Sequence, residues 1–265
     1  MGSMMNVAAR WTIAGVLAGL LLAAAPVAAG ESLTVYYFHR PPYYETDEAG
    51  QAGGFLVEIT RLILSEAQVP FQFEEMPHKR ILSRLREHRR VSSPGWFKTP
   101  ERQRFARFSQ PIYRNRPLCI IINRQLAPRF EEAPEMARIL SSDLTLGVLD
   151  EFSYGLWADG QMARFKPKTY RLAGSQGSLL EMVLRSRVDY MLIAMEEAMN
   201  ILARNDRAAV MGRIVRIADA PEGNQRPIMF SLGVDEQTVT KIDSAIERVR
   251  VSEPYARIVR AAEGP

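Results

Sequence analysis

The sequence has almost none of the residues that cross-link small exported domains or cage metals. It holds one cysteine, Cys119, and three histidines in 265 residues. A lone cysteine excludes an internal disulfide, so stability must come from a packed core. Cys119 lies in the apolar run Leu118-Cys119-Ile120-Ile121-Ile122, the setting of a buried thiol. His39, His78 and His88 are scattered, and no Cys/His set has the spacing of a zinc site. Neither a metal nor another cofactor is expected. Low-complexity tracts are missing, as is a second long apolar run, which leaves an ordinary globular composition. A large charge excess is also missing, since the formal net charge is only +4. The densest basic run, His78-Lys79-Arg80 through Arg84, Arg86, Arg89 and Arg90, alternates with Ile81, Leu82 and Leu85 at helical spacing. That is an amphipathic helix with a solvated basic face, and no nucleic-acid partner is expected. A weak preference for anionic ligands or an anionic membrane surface stays open.

What is present begins with an export signal. Arg10 gives a positive start, Trp11 to Ala25 is almost wholly apolar, and Pro26-Val27-Ala28-Ala29 supplies small residues for cleavage. Residues 1–30 therefore read as a secretory signal peptide cut near Ala29, which places the mature protein in the periplasm. The alternative is an uncleaved anchor, because Trp11 to Ala29 carries no charge. No cysteine near the cut site suits a lipid anchor. The remaining chain, about 235 residues, suffices for one large domain or two modest ones.

Periodicity organises that remainder. Leu33 to Phe38, Phe71 to Phe73, Leu118 to Asn123, Leu144 to Leu149, Thr169 to Leu172, Asp189 to Ile193 and Ile228 to Val234 read as strands. Between and after them, helices are expected over Phe55 to Ala67, Arg80 to Arg89, Leu179 to Arg187, Glu196 to Arg204, Glu236 to Val249 and Val251 to Ala262. Another helix follows Gly155. Strands alternating with helices argue for α/β lobes built on parallel sheets, with ligands at the strands' carboxyl ends. His39-Arg40-Pro41-Pro42-Tyr43-Tyr44 and Gly95 to Arg102 are loops at those ends, because proline cannot continue a ladder.

The most informative stretch is Pro94-Gly95-Trp96-Phe97-Lys98-Thr99-Pro100-Glu101-Arg102, followed by Phe108-Ser109-Gln110-Pro111-Ile112-Tyr113. Thr-Pro-Glu is a helix start that fixes Arg102 beside it, and a rigid guanidinium fork suits a carboxylate. The block resembles the T-x-x-R…F-S-x-P-Y signature of periplasmic solute-binding proteins of the polar amino-acid type, the extracellular family 3. The resemblance implies a type II two-lobe fold with two crossover hinge segments. Carried onto this chain, lobe one is 31–115 plus 229–265 and lobe two is 116–228. It also implies a small carboxylate-bearing ligand in the cleft, a monomer, and a membrane permease or sensor partner.

On that resemblance Arg102 seats a carboxylate with backbone help from Gly95 and Phe97, where phenylalanine replaces the usual hydroxyl residue. Trp96, Tyr37 and Tyr43 are candidate aromatic walls, and Arg40 stands where relatives often carry an aromatic. Phe152-Ser153 opens a helix whose free N–H groups would meet the same carboxylate; simple capping by Ser153 is the alternative. Relatives that bind α-amino acids hold the ammonium with an aspartate five residues after Asp189, a position filled here by Ala194. Glu196 is the candidate substitute, although a glutamate is also favoured at a helix start. Three classes follow: solute capture for an ABC-type transporter, a ligand-sensing input module, and a cyclic-acid dehydratase-like enzyme. Glu45, Glu151 and Glu196 form no recognisable acid–base pair, so no enzyme is expected.

Overall fold

The computed structural model describes residues 31–263; the expected signal peptide lies outside them. The chain opens with β1 (Leu33–Tyr37), the short hairpin β2 (Glu45–Thr46) and β3 (Ala52–Gly53), and α1 (Phe55–Glu66). There follow β4 (Phe71–Glu75), α2 (His78–Leu85), β5 (Val91–Pro94), α3 (Pro100–Gln103) and β6 (Ala106–Arg114). The middle of the chain holds β7 (Leu118–Asn123), a 3-10 turn at Arg124–Arg129, α4 (Met136–Leu140), β8 (Leu146–Leu149), α5 (Leu156–Phe165) and β9 (Thr169–Leu172). It continues with α6 (Gln176–Leu184), β10 (Tyr190–Ala194), α7 (Met195–Arg204), α8 (Asp206–Met211) and β11 (Gly212–Arg216). The chain then returns through β12 (Gln225–Ser231), α9 (Glu236–Arg250) and α10 (Glu253–Glu263).

Two five-stranded sheets result, ordered β4-β1-β5-β12-β6 and β11-β7-β10-β8-β9. The late strand β12 lies inside the first sheet, so the first lobe is left and re-entered. Both sheets are mixed rather than purely parallel. β1 runs parallel to β4 and β5, but β12 is antiparallel to β5 and β6, and β7 is antiparallel to β10 and β11. The antiparallel strands are the ones adjoining the lobe connections, where the chain arrives without a crossover helix.

Each sheet has its own apolar layers. Ile59 and Ile63 of α1 and Ile242 and Ile246 of α9 cover one face of the first sheet; Ile81 and Leu85 of α2 cover the other, in one cluster with Met229 of β12. The second sheet is covered by Met136, Ile139 and Leu140 on one side and by Leu179, Leu180 and Val183 on the other. Cys119 is fully buried in that second layer, and burial pushes its thiol pKa far up. The basic helix behaves as its pattern requires: Ile81, Leu82 and Leu85 are buried, while Lys79, Arg80 and Arg86 are exposed.

The two connections between the sheets lie side by side at 115–117 and 217–224. Asn115 N–H donates to the Asn224 carbonyl at 3.0 Å. Gly223, at φ +115°, lies so close that a Cβ there would fall 1.8 Å from the Asn115 carbonyl oxygen. β12 begins at Gln225, ahead of the lobe boundary expected at 229, because Gln225 already pairs with Arg114.

Candidate functional site

The carboxyl ends of β1 and β5 face those of β8 and β10 across the gap between the lobes. From lobe one, the loop after β1 delivers Arg40. Its Nε and Nη2 donate to the two Glu197 oxygens at 2.7 Å each, with both side chains buried. Burial lowers the Arg40 pKa, but the facing Glu197 carboxylate more than reverses this and holds it above its ordinary value. The Arg40 guanidinium also lies 4.7 Å from the Phe152 ring centre and 5.1 Å from that of Tyr43. A planar cation is thus sandwiched between aromatic faces and a two-pronged acceptor, the arrangement that suits arginine best.

Beside this pair, Glu196 is tied to the connection. Its carboxylate accepts from Tyr43 Oη at 2.8 Å, from Asn115 Nδ2, and from the Arg116 N–H at 3.2 Å. Burial raises its pKa, opposed by these hydrogen bonds and by Arg226. Tyr43 is fully buried, and its hydroxyl pKa rises through burial and then through the Glu196 charge. Arg226, from the start of β12, donates to Asn115 Oδ1 and to the Gly95 carbonyl at 2.7 Å. Its guanidinium lies between the rings of Tyr43 and Phe97, at 4.5 and 4.6 Å.

The Gly95 loop turns at φ +80°, where a Cβ would collide with the Tyr44 hydroxyl. Thr99 caps α3 by accepting from the Arg102 N–H, which fixes the arginine beside the helix start. Arg102 is 9% exposed, donates from Nη1 to the Phe97 carbonyl at 2.9 Å and lies 4.9 Å from the Trp96 ring. Among the described residues it forms no ion pair within 4 Å. Burial pushes its pKa down to about 10, with Glu101 and Asp159 opposing from a distance. Arg102, Arg226, Phe97, Phe152 and Ser153 line one cavity of about 30 Å³, room for little more than a water. Two larger cavities, of about 580 and 640 Å³, flank it, and Phe152 borders all three.

Of the candidate residues, Arg102, Gly95, Trp96, Phe97, Arg40, Phe152 and Ser153 line that small cavity. Tyr43 and Glu196 are not in its lining; they meet each other beside the lobe connection. Tyr37 does not reach the cleft. It packs edge-on to Phe73 in the lobe-one core, with its hydroxyl on Thr46. The alternation of β1 turns Tyr37 toward α1 and α9, so the expectation that it faces the ligand is corrected. Two further expectations change. The Gly95 N–H is spent on the Pro227 carbonyl at 2.8 Å, because β5 pairs with β12. The N–H groups after Ser153 are also engaged: Tyr154 donates to Asp159 Oδ1 at 2.9 Å and Gly155 to Ser153 Oγ at 3.2 Å. Ser153 Oγ donates to Asp159 Oδ2 at 2.6 Å, so a carboxylate of the chain itself sits on this loop. Burial raises the Asp159 pKa.

Glu197, Asn115, Asp159 and Arg226 escaped the sequence reading. Arg226 had a signal, a lone charge opening the apolar run Pro227-Ile228-Met229-Phe230. Glu197 had another, an acidic doublet with Glu196 at the end of an apolar strand. Among the described residues, no cluster of His, Cys, Asp or Glu could hold a metal ion.

Comparison with known proteins agrees with this architecture. No curated protein matches the chain. Among solved structures, an ancestral arginine-binding protein bound to arginine superposes with a TM-score of 0.70 at 18% identity, covering 88% of this chain and 98% of that one. A histidine kinase sensor domain with similarity to periplasmic binding proteins gives 0.71 at 18%, covering 88% and 96%. The arginine-, lysine-, histidine-binding protein ArtJ from Geobacillus stearothermophilus gives 0.71 at 15%, covering 89% and 96%. At such identities these likenesses speak for the two-lobe fold alone. The family model for bacterial extracellular solute-binding proteins, family 3, matches residues 34–261, and the chain belongs to that family.

Proposed function

We propose that the protein captures a small carboxylate-bearing solute between its lobes in the periplasm and presents it to a membrane partner, without chemistry of its own. The observation that carries this reading is Arg102. A buried guanidinium with no carboxylate in ion-pairing range is costly, and an anionic ligand would supply the missing counter-charge. Arg226, 4% exposed in the same cavity, adds a second cation that donates only to neutral oxygens. The cavity is too small for a solute as it stands, so capture requires the lobes to part or Phe152 to swing aside. Ala194 offers no carboxylate for an α-ammonium group, and Glu196 is held at the connection, which disfavours a simple α-amino acid. The mature chain begins near Glu31, with the lobes divided at the paired connections.

An ABC-type permease is the partner this reading favours. A sensor role is the second reading, supported by the likeness to a kinase sensor domain. Glu196 and Glu197 are both held by donors, which argues against either as a catalytic acid or base.

A thermal-shift screen of the mature protein against carboxylic acids, amino acids, phosphonates and polyamines tests the reading. A carboxylate at a hundredfold excess over Kd should stabilise by about 2.7 kcal/mol. Stabilisation by polyamines alone would reject the anionic ligand, and turnover of a bound acid would reject the non-enzymatic role.

A further inference from the structure

Between Gly160 and Leu180 the chain carries four cations, Arg164, Lys166, Lys168 and Arg171, and no acidic residue. They run from the last turn of α5 into β9, the strand at one edge of the second sheet. All four are exposed, and among the described residues none of them forms an ion pair. Asp143 lies near enough to feel the Lys168 charge, but it is taken by Arg129. Tyr170, 46% exposed, stands in the middle of the group. The denser basic run around α2 behaves differently. There Arg84 and Arg89 meet Glu87, Arg86 meets Glu101, Arg90 meets Asp235 and Lys79 meets Glu151. That charge is largely answered within the protein, whereas the charge of the β9 edge is left for something outside it.

We propose that the β9 edge of lobe two docks the protein on an anionic phospholipid surface. Each lysine or arginine brought close to such a surface raises partitioning roughly fivefold. Tyrosine, with an apolar ring and a polar tip, suits the boundary between headgroups and water. None of the four cations is held by a side-chain hydrogen bond, which fits a diffuse field of headgroups better than a partner of fixed shape. Lysines on an edge strand also keep it from pairing with other strands. That task accepts charge of either sign, and the edge strand β4 of the first sheet carries Glu74 and Glu75. It gives no reason for an edge with cations alone. β9 runs parallel to β8, whose carboxyl end faces the gap, so Lys166 and Lys168 lie at the end of lobe two turned away from it. Docking there leaves the gap open to solute and to a membrane partner. The inference rests on the periplasmic reading, which puts the protein beside a membrane, and not on the identity of the solute.

Vesicle flotation of the mature protein is the test, with phosphatidylcholine vesicles either pure or containing phosphatidylglycerol. The protein should float with the anionic vesicles only, and added salt should release it as the charges are screened. Lys166→Gln/Lys168→Gln/Arg171→Gln should weaken vesicle binding about a hundredfold, three steps of roughly fivefold. Lys168→Gln alone, about fivefold weaker, serves if the triple variant aggregates. The control removes the same charge elsewhere: Arg80→Gln/Arg213→Gln/Arg216→Gln, at three exposed positions without ion pairs among the described residues, should bind nearly as wild type. No flotation of the wild type, equal flotation with neutral vesicles, or an equal loss in the control would overturn the docking edge. So would wild-type binding to soluble polyglutamate but not to vesicles, because the partner would then be an acidic polypeptide. The solute reading is judged separately. Vesicle binding by a protein that takes up no carboxylate would sink solute capture and leave this edge standing.

Discussion

Arg40 and Arg102 are equally hidden from water and differ in what faces them. Glu197 answers Arg40 with two hydrogen bonds, whereas among the described residues no carboxylate comes within ion-pairing range of Arg102 and Glu101 and Asp159 act only from a distance. Arg102→Ala should therefore weaken the identified carboxylate by about 2–5 kcal/mol, and Arg102→Lys should recover only part, lacking the planar fork. Calorimetric titration checks this, and wild-type affinity in the alanine variant would move the anion site elsewhere. Phe152 is the second residue with a defined consequence. It borders the small cavity and both of its neighbours. Phe152→Ala should shift the preferred carboxylates toward bulkier ones in the thermal-shift panel. An unchanged size preference would show that the ring is not the limiting wall. Little of this pairing was legible in the sequence. Arg102 was placed by its motif, but Arg40 and Glu197 are 157 positions apart, and no local pattern announces a partner at that range.

At the scale of elements, the sequence was most legible where apolar spacing is regular. Leu118–Asn123 and Thr169–Leu172 emerge as strands with the expected bounds, and α1 and α9 within a residue of theirs. The missed strands have physical reasons. β5 is Val91-Ser92-Ser93-Pro94, buried on both faces yet without alternation, and β6 and β11 are polar strands at the sheet edges. One helix start makes a clean test. Asp235 caps α9, accepting from the Thr238 N–H at 2.7 Å and from its hydroxyl at 2.7 Å. These bonds, with Arg90 nearby, hold its carboxyl down at about 2. A depressed carboxyl stabilises the fold above its unfolded pKa and loses that contribution as pH falls through the folded value. Asp235→Ala should thus cost about 1 kcal/mol at pH 7. In urea unfolding the gap between variant and wild type should narrow as pH drops from about 4 toward 2. A gap that stays constant over that range would mean the carboxylate charge contributes nothing to the cap.

For the whole molecule, the decisive question is what holds the lobes together without a ligand. The Arg40–Glu197 pair and the Tyr43–Glu196 hydrogen bond both span the gap, while each lobe keeps its own apolar layers. Leaving one partner of a buried pair unmatched costs about 3–5 kcal/mol when the site cannot relax. Here it can relax, because opening returns Arg40 to water without disturbing either core. Glu197→Gln keeps the shape and removes the charge, so it should favour the open form by about a hundredfold or more rather than unfold the protein. Small-angle scattering should then report a larger radius of gyration than wild type, with the thermal midpoint nearly unchanged. A tight anionic ligand should restore compactness by supplying contacts to both lobes. The opposite pattern, an unchanged radius with a fall of several kcal/mol in unfolding free energy, would mean that the pair belongs to a rigid body. In that case the ion pair would be part of the structural core rather than a latch, and ligand entry would have to proceed through Phe152 alone.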